Sequence, residues 1–185
     1  MNIRAIILMS LLSFYLPFRG YSQQGNSKID KSNEISNVEK FSLKSGVLIQ
    51  KEFVDIGSVK GCKIQIANFT DLISGEKTNG VKFEYEASSS YTSDTKLALL
   101  DSDELDGLIK SITIIQEKIL PNLPENYTEV SYKSRGGFEA GCYKSRKDWS
   151  AYLKLEKYDG KSYVFMNKED LGQLMSLLRS AKEKL

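Results

Sequence analysis

Apolar and polar side chains alternate along short segments of the chain, and glycine-containing turns separate these segments. In residues 81–87 the alternation is strict, which is typical of a β-strand with one buried face. The pairs Gly57-Ser58 and Asn79-Gly80 predict tight turns in the first part of the chain. Together these patterns predict strands over residues 46–55, 59–69, 81–87, 96–101, 128–135, 138–146, 149–157 and 162–167.

Two further segments repeat apolar residues at the three- and four-residue spacing of a helix that buries one face. The first has Asp101 as its predicted N-cap and Glu104 as the capping-box partner, and it ends before Pro121. Asn167 and Asp170 occupy the equivalent positions of the second. The apolar residues of the first helix are Leu105, Leu108, Ile109, Ile112, Ile115 and Ile119. Those of the second, each 66 positions later, are Leu171, Leu174, Met175, Leu178, Ala181 and Leu185.

The order of these elements predicts an α+β fold made of two ββββα halves, at about 41–121 and 127–185. Each half is too small to bury a sufficient core alone, so we expect antiparallel sheets and two amphipathic helices packed with pseudo-two-fold symmetry in one domain, residues 41–185. At the level of topology this layout resembles the doubled ββββα arrangement of the Whirly, Pur-alpha and PC4-like single-strand nucleic-acid binders. No sequence motif accompanies the resemblance, so it implies no functional residues.

The first 22 residues have the layout of a secretory signal peptide. A basic start at Arg4 precedes an apolar run over residues 5–16, and the small residues Gly20 and Ser22 precede the predicted cleavage site. The apolar run is shorter than the roughly 20 residues that span a bilayer, and no later segment reaches that length. We therefore expect export to the periplasm or the extracellular space, without stable membrane insertion after cleavage. A retained membrane anchor is the alternative.

The polar segment 23–40 is rich in Ser, Asn and Lys, a composition that predicts a flexible linker ahead of the domain. Residues 1–22 contain two of the 26 basic residues and no acidic one, so the remainder carries 24 residues of each sign. The exported chain is therefore formally neutral. It lacks the overall positive charge that a general phosphate-binding surface needs.

Histidine is absent from the chain. This excludes Ser-His-Asp and Cys-His catalysis and His-ligated zinc, and we predict no catalytic residue, cofactor or metal site. The two cysteines, Cys62 and Cys142, predict a disulfide, because the expected compartment is oxidising. Two buried free thiols are the alternative.

The tetrapeptide Tyr-Lys-Ser-Arg occurs twice, at residues 132–135 and 143–146, on either side of Gly136-Gly137. A two-residue turn at these glycines predicts a hairpin in which Arg135 lies opposite Phe138. The repeat is then a consequence of strand periodicity. Side chains alternate between the two faces of a strand, so both strands place tyrosine on one face and the basic residues on the other.

In this register Tyr132 and Tyr143 share one face, while Cys142 falls on the other. The basic side chains of the second face predict one exposed patch that contacts an acidic partner. Its residues are Lys133, Arg135, Lys144 and Arg146.

The sequence thus predicts an exported, non-catalytic interaction or ligand-binding module. A single-stranded nucleic-acid binder is the first alternative, which the neutral charge of the exported chain disfavours. A histidine-free hydrolase is the second. Glu84 and Glu86 share one face of a predicted strand and supply paired carboxylates, although a solvated sheet face accounts for them equally well.

Overall fold

The computed structural model describes residues 35–88 and 93–185, so the predicted signal peptide lies outside the described residues. The helices are α1 (Asn37–Ser42), α2 (Ser102–Ile114) and α3 (Lys168–Lys184), with a π-helical turn at Ile115–Ile119 and a 3-10 turn at Gly160–Ser162. The strands are β1 (Ile49–Val59), β2 (Cys62–Asp71), β3 (Lys77–Ser88), β4 (Ser93–Leu100), β5 (Glu129–Lys133), β6 (Glu139–Lys144), β7 (Trp149–Lys154) and β8 (Tyr163–Met166).

The strands form two four-stranded antiparallel sheets, each with its strands in sequence order. Sheet 1 contains β1 to β4 and is followed by α2, and sheet 2 contains β5 to β8 and is followed by α3. This arrangement confirms the predicted α+β fold with two ββββα halves.

Both predicted apolar stripes pack against the inner faces of the sheets, where Leu108 of α2 and Leu178 of α3 are fully buried. The two helices also contact each other. Between the halves, the rings of Phe83 and Phe138 lie with their centroids 4.7 Å apart. One apolar cluster therefore contains residues of both halves, and its burial supplies the main stabilising term of the fold.

The short helix α1 lies on the outer face of sheet 1. Its apolar residues Val38 and Phe41 pack there against Ala67 and Phe69 in a second, smaller cluster. The flexible linker predicted for residues 23–40 is therefore wrong at its C-terminal end, because Val38 and Phe41 are buried in a helix that packs on sheet 1.

Gly80 lies inside β3, and the turn predicted at Asn79-Gly80 is wrong. The chain reverses earlier, where the Asp71 N–H donates to the Glu76 carbonyl oxygen at 2.9 Å. A glycine is needed at position 80 for close approach, since a Cβ there would lie 2.9 Å from Val38 Cγ1 and 2.5 Å from the Leu100 carbonyl oxygen. The absence of a side chain at Gly80 therefore leaves space for Val38 when α1 packs on the outer face of sheet 1.

The turn predicted at Gly57-Ser58 is also displaced. The β1–β2 hairpin closes through Lys60 and Gly61, which have φ values of 51° and 78°, so that Val59 faces Cys62. Gly57 instead lies at a β-bulge of β1.

Both helix starts agree with the predicted capping positions. The Asp101 N–H, just before α2, donates to Glu104 Oε2 at 3.0 Å. At the start of α3, Asn167 Oδ1 accepts the Asp170 N–H at 2.8 Å, and the Asn167 N–H donates to Asp170 Oδ2 at 3.0 Å. Within residues 35–88 and 93–185, no helix combines the length and apolar character needed to span a bilayer.

Candidate functional site

The hairpin of β5 and β6 carries the repeated tetrapeptide, and its register differs by one residue from the predicted one. Lys133 faces Glu139 in the observed pairing. The connection has three residues, because the Ser134 N–H donates to the Phe138 carbonyl oxygen at 2.9 Å and Gly137 ends the loop with a φ of +86°. A shift of one residue moves every side chain of β6 to the opposite face.

The shift places Cys142 on the inner face, in the core, and Tyr143 on the outer face. The predicted disulfide is wrong, since Cys62 belongs to sheet 1, Cys142 belongs to sheet 2, and both are buried free thiols. Burial raises the pKa of Cys62 to about 12 and that of Cys142 to about 11, which keeps both protonated at neutral pH. Tyr132 lies on the inner face, and its hydroxyl donates to the Glu104 carbonyl oxygen at 2.8 Å.

The four cations of the predicted basic patch are not brought together. Lys133 lies on the outer face of sheet 2, with its ammonium 3.3 Å from the Glu139 carboxylate. Lys144 lies on the opposite face of the same sheet. Arg146 is exposed beyond the end of β6, and Arg135 lies in the hairpin loop. Contact of any of these residues with an acidic partner stays a prediction.

Arg135 binds the acidic start of α2. Its Nη2 lies 2.6 Å from Asp101 Oδ2, and its Nη1 lies 2.8 Å from Asp103 Oδ2. The Asp101 carboxylate also accepts the N–H groups of Asn37 and Val38, at 2.7 and 2.8 Å. Hydrogen bonds from Arg135 lower the pKa of Asp103. One carboxylate therefore joins α1, α2 and the hairpin loop, which identifies Arg135 as a structural residue.

A second ionic link between the halves centres on Lys96 of β4, whose side chain is only 7% exposed. Its ammonium contacts the carboxylates of Asp94, Asp159 and Glu156, the last at 3.7 Å. Hydrogen bonding to Asp159 and Asp94 raises the pKa of Lys96. The buried cation is thus matched by carboxylates from both halves.

The outer face of sheet 2 carries four aromatic rings, which we name the aromatic face: Tyr143, Tyr152, Tyr163 and Phe165. The rings of Tyr163 and Phe165 are parallel within 5°, with centroids 5.6 Å apart. Tyr143 lies 6.3 Å from Tyr152 and 6.5 Å from Phe165 between centroids. The rings of Tyr143 and Tyr163 contact that of Phe165, and Phe165 is still 56% exposed. Tyr152 is buried and Tyr143 and Tyr163 are half-buried, so Phe165 is the exposed ring of the face. An exposed ring supported by other aromatic rings is typical of a contact surface.

Small polar residues and a cation border the aromatic face. Ser131 and Gly141 lie in the same cross-strand row as Tyr152. The Lys154 ammonium lies 5.4 Å from the centroid of Tyr163. Burial raises the pKa of the Tyr152 hydroxyl, so that this group stays neutral over the physiological range.

A concave site lies between α1 and the outer face of sheet 1, and we name it the sheet-1 cleft. Its cavity volume is about 300 Å³. The rings of Phe53 and Phe69, in an edge-to-face contact with centroids 6.2 Å apart, form much of its apolar wall. Its charged lining residues are Glu39, Lys51 and Lys82.

The paired carboxylates considered for hydrolysis occupy alternate positions of β3. Glu84 accepts a hydrogen bond from the Lys82 ammonium, and Glu86 accepts one from the Ser93 hydroxyl. Each carboxylate is therefore engaged by a neighbour on the same sheet. In the two described ranges, no three cysteine or acidic side chains are grouped so that they could hold a metal ion.

Sequence reasoning missed both the aromatic face and the sheet-1 cleft. A signal for the aromatic face exists, because Tyr163 and Phe165 alternate along one predicted strand, and Tyr152 lies on the strand before it. The register error in β6 hid the contribution of Tyr143. The cleft has no comparable signal, since it depends on α1, and the polar composition of that segment predicts a linker.

No protein-family model matches this chain, and a search of curated proteins also gives no match. The candidate sites are therefore interpreted from their own chemistry.

Proposed function

We propose that this protein is an exported, non-catalytic interaction module that binds another protein through the aromatic face. The observation that supports the proposal most directly is the contact of four aromatic rings on an outer sheet face, with Phe165 left 56% exposed. Export is proposed from the basic, apolar and small-residue layout of residues 1–22.

The composition of the face supports a protein partner. Tyrosine is enriched at protein interfaces because its ring supplies contact area and its hydroxyl tolerates water, while few rotatable bonds are immobilised on binding. The exposed Ser131, in the same cross-strand row as Tyr152, adds a hydroxyl group that can hydrogen-bond with a partner.

The charge around the face disfavours nucleic acid. Lys133 is paired with Glu139 at 3.3 Å, and Lys154 is the cation held over a ring. A single-strand binding groove combines stacking rings with an excess of cations that track the phosphate backbone. The paired charges of the aromatic face do not provide that excess.

A site-specific photo-crosslinking experiment tests the proposal. A benzophenone amino acid is placed at position 165 in the producing cells, and at position 158 as a matched control, since Tyr158 is 89% exposed but lies outside the face. We expect a protein adduct from position 165 and none from position 158. The adduct is identified by mass spectrometry, and the partner is then purified.

Binding of the purified partner is measured by calorimetry with wild-type protein, Phe165→Ser and Tyr158→Ser. Loss of a central aromatic contact typically costs about 2 kcal/mol, so Phe165→Ser should weaken binding at least about tenfold. Tyr158→Ser should leave the affinity unchanged. Equal adducts at both positions, or equal affinities, would refute the proposal. Retention on single-stranded oligonucleotide at low ionic strength, lost with Phe165→Ser, would establish the nucleic-acid alternative in its place.

A further inference from the structure

The sheet-1 cleft combines apolar walls with a cation that no carboxylate neutralises. The Lys51 ammonium lies 5.5 Å from the centroid of the Phe69 ring. Within residues 35–88 and 93–185 it forms no ion pair, whereas most other lysines near α1 and sheet 1 are paired. An ammonium held over a ring at the edge of an apolar cavity attracts an anion there.

A second lysine reinforces this charge. The Lys82 ammonium lies 4.5 Å from the centroid of Phe53 and 3.3 Å from Gln65 Oε1, and it also contacts Glu84. Its side chain is 14% exposed, so it is held in place within the sheet surface. Lys82 is thus partly neutralised, and Lys51 is the cation left for a ligand.

The remainder of the cleft fits an apolar group. Leu97, from β4, is 48% exposed and lines the cavity together with Phe53. A cavity of about 300 Å³ is at the lower limit of small-molecule sites, which suits a short chain or a single ring. Among the described residues, the only acidic one that lines the cleft is Glu39 of α1, on the helix that closes the site.

We propose that the sheet-1 cleft binds a small amphipathic carboxylate, with its apolar group against Phe53 and Leu97 and its carboxylate paired with Lys51. The charge of the lining selects an anion over a cation of the same shape. The site is independent of the aromatic face, so this binding goes beyond the interaction function proposed above.

Three straight-chain probes of eight carbon atoms each test the choice of head group: octanoate, 1-octanol and octylamine. Each is titrated into purified protein labelled with ¹⁵N, and backbone amide shifts are followed by NMR. We expect octanoate to shift the amides of Lys51, Phe53 and Leu97 in a saturable manner. Octanol should bind more weakly, and octylamine should not bind at this site.

Charge variants identify the residues responsible. Lys51→Gln should weaken octanoate binding about fivefold, the size expected for one partly exposed ion pair, and Lys51→Arg should restore most of it. Lys63→Gln is the matched control, because Lys63 lies on the same face of sheet 1, with its ammonium 3.0 Å from Asp55, but does not line the cleft. Glu39→Gln should strengthen octanoate binding by removing a like charge.

Several outcomes would overturn the proposal. They are equal binding of octylamine and octanoate, unchanged affinity in Lys51→Gln, shifts confined to another surface, and absence of binding at millimolar octanoate. The last result would also be obtained if a segment of the chain itself filled the cleft, and in that case no site for a carboxylate ligand exists.

Discussion

Arg135 and Asp101 connect the two halves of the protein, with Nη2 and Oδ2 2.6 Å apart. Asp101 follows the last strand of the first half, and Arg135 lies in the first hairpin of the second. The Asp101 side chain is only 10% exposed, and it also holds the start of α1 through Asn37 and Val38. The last residue of one Tyr-Lys-Ser-Arg tetrapeptide therefore fixes the position of three elements.

Replacing Arg135 should destabilise the fold. In Arg135→Gln the Asp101 carboxylate keeps its bonds to the backbone but loses its ionic partner, and we expect a loss of about 2 kcal/mol in the free energy of unfolding. Urea unfolding followed by circular dichroism measures it. Arg146→Gln, the same change in the second tetrapeptide, should stay within about 0.5 kcal/mol of wild type because Arg146 is exposed. Equal effects of the two substitutions would contradict the structural role.

Acid should weaken the fold below about pH 4. Hydrogen bonds from Arg135 lower the pKa of Asp103, and hydrogen bonds from Lys96 lower that of Asp159. A carboxyl whose pKa is depressed by folding adds stability that is fully present above the unfolded pKa of about 3.9 and is lost as the pH falls through the folded value. Urea midpoints should fall as the pH is lowered from about 4 to 2.5. The fall should be shallower in Arg135→Gln, and an unchanged slope would contradict the assignment.

Glu39→Gln should stabilise the protein at neutral pH. Burial, and then the negative charge of Glu104, raise the pKa of Glu39, so the folded state favours its protonated form. The stability that this group provides is present below the unfolded pKa of about 4.3 and is lost as the pH rises through the folded value. The gain in Glu39→Gln should be below about 1 kcal/mol, since the group is partly exposed. It should appear at pH 7 and vanish near pH 3.5, and a gain independent of pH would point to another cause.

The two cysteines should behave as inert free thiols. Their pKa values, raised by burial to about 12 for Cys62 and about 11 for Cys142, leave almost no thiolate at pH 8. Native protein should therefore not react with Ellman's reagent, and two thiols per chain should react in 6 M guanidinium. Dithiothreitol should leave the thermal midpoint unchanged. A lower midpoint in dithiothreitol would indicate a disulfide.

Gly80→Ala should release α1 from the outer face of sheet 1. The added Cβ would lie 2.5 Å from the Leu100 carbonyl oxygen and 2.9 Å from Val38 Cγ1, and overpacking of this kind costs about 2 kcal/mol. Amide hydrogen exchange should increase over Asn37–Ser42. Gly160→Ala is the control, because nothing lies within 4 Å of a Cβ at that position and its stability should not change measurably. Unchanged exchange in α1 would show that the helix does not depend on this contact.

Local patterns predicted most of the fold because each one depends on neighbours in sequence. The helical spacing of Leu105, Leu108 and Ile112 requires a buried face whatever the partner is. Capping at Asp101 and Asn167 is a local hydrogen-bonding requirement, and both helices begin there. The succession of four strands and one helix, repeated once, followed from these signals alone.

Turn positions and strand register could not be predicted as well from the sequence. The pair Asn79-Gly80 predicts a turn, but the glycine is needed because a Cβ would meet the Leu100 carbonyl oxygen and Val38 of α1, and both lie at least 20 residues away in the chain. The sequence predicts a two-residue turn at Gly136-Gly137 in the hairpin of β5 and β6. The observed three-residue turn uses Gly137 alone, and the difference of one residue exchanged the two faces of β6.

The sequence by itself therefore determined which segments form the eight strands and the two long helices, and it determined the absence of histidine chemistry. It also determined the ββββα order of each half. All of these features depend on composition and on the periodicity of apolar residues. Only the tertiary structure decided which side chains share a surface. It turned Tyr143 outward into the aromatic face and Cys142 inward as a free thiol, and it joined Arg135 to Asp101. The physical reason is that a sheet face is set by register and by what packs upon it, and both depend on contacts between residues distant in sequence.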